Sequence, residues 1–251
     1  MSEAARTFKL TVQYDGTGLV GWQRQPEGTS VQGLLESALA PLAGSPVTVH
    51  GAGRTDAGVH ALAQVASATF ATRHDPATLL RAINAVLPDA VRVTAVEEVA
   101  PEFHARFSAS GKVYEYRIVN APFISPFLLR SAYHVPQPLD VEAMRSASRL
   151  LVGRHDFAAF QGTGTLVRDA TRTVHSIEWA GRCSFDAALT MTIAGDGFLR
   201  HMVRNIAGTL VDVGLGRWAP GVVGEILASR DRSRAGNAAP AHGLFLVRVL
   251  Y

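Results

Sequence analysis

Asp56 is the residue whose surroundings most suggest chemistry. It sits in GAGRTDAGVHA, residues 51–61, and is the only carboxylate between Glu36 and Asp75. An aspartate in a glycine-rich stretch has two readings: it bonds its own backbone in a turn, or it is held for a reaction. Asp-Gly turns normally join hydrophilic loops, whereas here Ala57, Val59, Ala61 and Leu62 follow at once, which favours the second. Glycines 51, 53 and 58 allow unusual dihedrals and close approach of a ligand. In an extended chain Arg54 and Asp56 project to the same side, and the guanidinium favours the ionised acid that a nucleophile requires.

Other chemistries are excluded by spacing. No two of the nine histidines lie three to five residues apart, so no HExxH-type metal pair exists. The chain has no G-x-S-x-G elbow and no phosphate loop ending in GK[ST], and Gly51-Ala52-Gly53 does not complete a dinucleotide fingerprint. The single cysteine, Cys183, rules out an internal disulfide and, in strand-like sequence, is expected in the core rather than as a nucleophile. No metal or other cofactor is expected.

Of 24 basic residues only Lys9 and Lys112 are lysine, and the net charge is +3. Arginine's planar fork suits phosphate and base recognition, although a GC-rich genome produces the same bias. Neither the opening residues nor any apolar run suggests a signal peptide or a membrane span; a cytoplasmic protein is expected.

The elements that must position Asp56 follow from periodicity. Phe8, Leu10, Val12 and Tyr14 alternate as in a half-buried strand. Thr29 and Gln32 form a capping box for a helix with Val31, Leu34, Leu35, Ala38, Leu39 and Leu42 on one face. A strand near 47–50 enters the motif and AQVASATF resumes as a strand. Asp75 and Pro76 start a helix with a stripe of Leu79, Leu80, Ile83, Val86 and Leu87, before a strand at VRVTAV. Beyond it, KVYEYRIV, TRTVHSIEWA, SFDAALTMTIAG and GLFLVRVLY read as strands. Helices are expected from Asp140 to about Leu151, from Leu199 to Val213 and at PGVVGEILA. This interspersion gives an α+β protein of two sheet-and-helix halves, 1–105 and 106–251.

The motif GRTDAGVHA resembles the signature of the TruA family of tRNA pseudouridine synthases. The resemblance continues in order through YDGTGLVGWQRQ with VQGLLESAL, FHARFSASGKVYEYRI, GRHDFAAF, FLRHMVRNIAGTLVDVGLG and APAHGLFLVRV, from Phe8 to Tyr251. It implies the pseudouridine synthase fold: the halves join into a mostly antiparallel central sheet flanked by helices, with the active-site cleft between them. It also implies isomerisation of uridine to pseudouridine at tRNA positions 38, 39 and 40 in the anticodon arm, by a homodimer.

That reaction moves the glycosidic bond from N1 to C5 of one base. The detached uracil is itself the incoming nucleophile, so one carboxylate suffices where a glycosidase needs two. By the resemblance Asp56 is that nucleophile, whether by attack at C1′ or through a glycal. Tyr114 stacks on the target base, Arg204 pairs with the aspartate, Arg54 helps displace the target nucleotide, and Leu244 lines the uracil pocket. Read from the residues alone, Tyr114 is instead a strand-face aromatic beside Tyr116 and Ile118, and Arg204 a solvated helix arginine. Arg24, Arg230, Arg232 and Arg234 are candidates for phosphate contacts. Leu19, Lys112, Val113, Asp196, Gly197 and Arg200 depart from the family pattern and bear on RNA affinity and loop shape. The rival reading is a catalytically silent tRNA-binding protein on the same scaffold, which would share the arginines and Tyr114 but not need Asp56.

Overall fold

The computed structural model describes residues 4–164 and 169–251. Its chain forms two units, Met1–Ser110 with Leu246–Tyr251, and Gly111–Phe245. Both mix sheet and helix and the pairing is mostly antiparallel, as the sequence predicts. Among the described residues no helix is long and apolar enough to cross a membrane.

In the first unit the alternating strand is β1, Ala5–Tyr14. It pairs antiparallel with β3, His60–Ala71, on one side and with β4, Val91–Val99, on the other. Phe8, Leu10, Val12 and Tyr14 all point into the core, as period-two patterning requires. The strand expected at 47–50 shrinks to β2, His50–Gly51, on the edge of β3.

Helix α1, Val31–Ala43, is capped by Ser30, whose side chain accepts from Gly33 N–H at 3.2 Å. The expected Thr29–Gln32 box is therefore wrong. The Thr29 carbonyl accepts from Val20 N–H, and the Gln32 amide is spent on Arg24 N–H and the Val49 carbonyl, both at 3.0 Å. Helix α2, Pro76–Val86, does start as read, with Asp75 accepting from Thr78 N–H at 2.8 Å. Its Leu79, Ile83 and Leu87 are buried, but Val86 is 67% exposed. Position 86 is one residue short of the Leu79–Ile83 line, which Leu87 continues.

The second unit holds β5, Gly111–Asn120, between β9, Ala187–Gly195, and the short parallel strand β6, Tyr133–Val135. Strand β8, Thr171–Ser184, pairs with β9 and with β7, Gly153–Asp156. Helix α3 is Val141–Arg149, capped by Asp140. Helix α4, Met202–Gly214, is buried on most of its circumference, and α5 is Val222–Ser229. Strand β10, Leu244–Leu250, begins in this unit and ends in the first. Cys183 is exposed, contrary to expectation: it lies where β8 slips register between Gly181 and Ser184, and the inward-outward alternation is lost.

Candidate active site

The Asp56 loop is built by two segments of the first unit packed backbone to backbone. After Tyr14 the chain turns out of β1, and Trp22 N–H donates to the Thr55 carbonyl at 3.1 Å. Gly21 makes this approach feasible. Its φ is +100°, and a Cβ there would stand 2.5 Å from the Thr55 carbonyl oxygen and 2.9 Å from the Asp56 carbonyl carbon. Gly51 likewise leaves room for the indole of Trp22. His60 Nδ1 accepts from Gly16 N–H at 3.0 Å and lies 3.1 Å from the Asp15 carboxylate, securing the other end of the same contact.

Beneath the loop, the hydroxyls of Tyr14 and Thr55 lie 2.8 Å apart, both side chains buried. Burial pushes the Tyr14 phenol up to about 12, so it stays a neutral hydrogen-bonding group around neutral pH. Gln64, fully buried, donates to the Gly53 carbonyl at 2.9 Å. The chain closes into a turn through Val59 N–H on the Asp56 carbonyl, with Gly58 at φ +78°. Thr55 is thus directed inward, Arg54 is exposed and Asp56 is half-buried. The alternation around Thr55 is the one an extended 54–56 segment predicts. Glycine 58 takes a left-handed dihedral; Gly51 serves close packing with a positive φ at neither 51 nor 53.

In the second unit Arg204 and Tyr116 brace one segment, Ala239–Leu244, which ends in Leu244. Arg204 Nε donates to the Ala239 carbonyl at 2.8 Å, and Ala239 N–H returns a bond to the Arg204 carbonyl at 3.0 Å. Tyr116, fully buried on β5, donates its hydroxyl to the Pro240 carbonyl at 2.8 Å. Burial raises its pKa well above the ordinary range, and the Arg204 charge pulls the other way. Gly243 lets the Tyr116 ring lie against the chain, where a Cβ would be 2.8 Å from Cζ. Leu244, buried, follows at the start of β10.

Tyr114 is also buried, and Phe198 meets its ring edge-on, centroids 5.2 Å apart at 84°. Sequence reasoning missed both Tyr116 as the pin of Ala239–Leu244 and Phe198 as the partner that orients Tyr114. The period-two spacing of 114, 116 and 118 was the available signal for the first, while the second depends on a turn between β9 and α4.

The arginines proposed for phosphate contact each have a protein partner. Arg24 pairs with Glu36 at 3.1 Å, Arg230 with Asp156 at 3.1 Å and Arg234 with Glu225 at 3.7 Å. Their side chains remain half or more exposed, and such pairs are weak enough to exchange for a phosphate. Arg232 differs: it donates to Asn205 Oδ1 at 3.0 Å and to the Ala235 carbonyl at 3.1 Å. Asn205 in turn donates to the Phe160 carbonyl at 2.7 Å. The GRHDFAAF motif is therefore tied to α4 and the 230–235 segment. Among the described residues no group of three or more His, Cys, Asp or Glu side chains could hold a metal ion.

A family description, tRNA pseudouridine synthase, matches residues 10–108 and 147–251. The chain is 44% identical to tRNA pseudouridine synthase A of Pelobacter propionicus over 246 residues, covering 98% of this chain and all of that one. It is 45% identical to the enzyme of the same name from Bacillus licheniformis, over 97% of this chain and 98% of that one. With that of Myxococcus xanthus it shares 45% identity, over 97% and 91%. The chain belongs to the tRNA pseudouridine synthase family, whose members are isomerases.

Proposed function

We propose that this protein isomerises uridine to pseudouridine at positions 38, 39 and 40 of the tRNA anticodon arm, with Asp56 as the nucleophile. The observation that carries the reading is the rigid seat of Asp56: the residue before it is locked inward by Tyr14, and the residues after it are closed by a glycine turn. A preorganised carboxylate loses little freedom when substrate arrives. The N1–C1′ bond breaks, the uracil turns, C5 bonds to C1′, and the C5 proton leaves while N1 gains one. No oxidant, reductant or nucleotide is consumed.

Residues 1–105 supply the acid and residues 106–251 the groups that hold the base. Tyr114 stacks on the target base, Arg204 accompanies the carboxylate, Leu244 lines the uracil and Arg54 occupies space vacated by the extruded nucleotide. Base extrusion costs a few kcal/mol, and stacking returns roughly 1–3 kcal/mol per base. Arg24, Arg230 and Arg234 hold phosphates by exchanging their carboxylate partners; Arg232 supports the segment that carries its neighbours. The enzyme works in the cytoplasm.

The test is tritium release from C5-labelled uridine in tRNA, wild type beside Asp56→Ala and Asp56→Asn. Wild type is expected to release tritium, and both variants to release none while still binding tRNA. Release by the variants at the wild-type rate would remove Asp56 from the chemistry.

The protein acts as a homodimer. In support, Phe123, Phe127 and Leu129 are exposed on one segment of the second unit, Phe127 by 95%, and the Phe123 ring lies 5.4 Å from that of Phe185. An apolar patch of this kind on a folded unit marks an interaction surface. Sedimentation equilibrium should show a dimer for the wild type and a monomer for Phe127→Glu; a monomeric wild type would refute the assignment.

A further inference from the structure

The motif FHARFSAS contributes nothing to the site described above, yet its residues form an unusual surface on the first unit. His104 stacks between His50, with centroids 4.9 Å apart, and Phe107, at 4.4 Å. Phe107 is 78% exposed, and the Arg106 guanidinium lies over its ring at 5.7 Å. An exposed phenylalanine is ordinarily unremarkable. This one is held in place.

His104 Nδ1 accepts from Arg106 N–H at 3.1 Å, and His104 N–H donates to Ser108 Oγ at 3.1 Å. Ala105 N–H donates to Ser67 Oγ on β3 at 3.0 Å, and the Ala105 carbonyl accepts from the Tyr251 hydroxyl at 2.9 Å. The turn that carries the rings is thus fixed on both sides. Burial, and then the neighbouring His50, lower the His104 pKa, which favours the neutral imidazole at the centre of the stack.

We infer that the His50–His104–Phe107 stack is a landing platform for one unpaired base of the RNA substrate, with Arg106 on the adjoining phosphate. The inference rests on the reading of the protein as an RNA-modifying enzyme and adds a contact outside the target-base site. A π face flanked by a cation matches the two recurring elements of single-strand recognition, base stacking and backbone neutralisation. Its position supports this occupant. Strand β2 carries His50 and runs directly into the Asp56 loop, six residues on, so the two Cα atoms are at most about 20 Å apart. A strand stacked at about 3.4 Å per nucleotide covers that span in roughly six nucleotides, within one anticodon arm.

Equilibrium binding of an unmodified tRNA, with tritium release in parallel, tests it on Phe107→Ala, Phe107→Leu and Phe107→Trp. Stacking predicts that the alanine and leucine variants raise the Kd about five- to 150-fold. The tryptophan variant should bind at least as well as wild type, with its added fluorescence quenched by tRNA. Arg106→Gln should reduce the slope of log affinity against log salt by about 0.7–0.9.

A leucine variant equal to wild type would overturn the inference, because it keeps apolar bulk without a π face. So would Phe107 variants that leave tRNA affinity intact and shift only the sedimentation of the protein, which would assign the platform to a second copy of the chain. Failure of the underlying reading is distinguishable: the wild type would then release no tritium from any tRNA.

Discussion

Asp56 is positioned by its neighbour. Thr55 puts a hydroxyl on the buried Tyr14 phenol at 2.8 Å, and a residue anchored inward leaves the next one facing outward. Thr55→Val removes that bond without changing the shape of the side chain. Denaturant unfolding should show a loss of about 1 kcal/mol, the usual net value of one hydrogen bond, and Tyr14→Phe a similar one. The double variant should cost less than the sum, because both changes remove the same contact. A larger effect is expected on turnover than on tRNA affinity, since it is the carboxylate that loosens. Asp56 could be singled out as the candidate nucleophile from its isolation among glycines and apolar residues. Its bracing was not: Tyr14 and Thr55 are far apart in sequence, and no local pattern pairs one hydroxyl with another.

Two loops meeting through their main chains explain why YDGTGLVGWQRQ accompanies the aspartate motif. Gly21 has a φ reserved for glycine and has no room for a Cβ beside Thr55 and Asp56. Gly21→Ala should therefore destabilise the fold by about 1–3 kcal/mol and reduce kcat at least tenfold with tRNA binding largely kept; steady-state kinetics beside a thermal melt would check both. At this scale legibility follows the range of the signal. The start of α2 was readable because Asp75 and Pro76 are adjacent and act locally. The start of α1 was misassigned by one residue because Thr29 and Ser30 are both capping types, and a long-range bond from Val20 decides between them. Strands β6 and β7, three and four residues long, are too short to show a period. Cys183 was misplaced for a related reason, a register slip that alternation cannot foresee.

The α+β class was readable for the whole molecule because strands and helices alternate along the chain with distinct periods. The unit boundary was not fully readable, since the last residues of the chain, Leu246–Tyr251, cluster with Met1–Ser110 rather than with the residues that precede them. They are held there by Ser110 N–H on the Leu250 carbonyl at 2.8 Å and by the Tyr251 hydroxyl on Ala105. A chain shortened by these six residues should fail to give a cooperative thermal transition for the first unit, as followed by circular dichroism.

The same arrangement has a consequence for biosynthesis. The ribosome makes the Asp56 loop early, but the piece that completes its unit emerges only after Gly111–Phe245 has been translated. At about 5–20 residues per second that delay is roughly seven to twenty-seven seconds. During it the nascent first unit lacks its final strand segment and exposes an open edge, so a chaperone that shields sheet edges has its clearest window on this protein before Leu246–Tyr251 emerges.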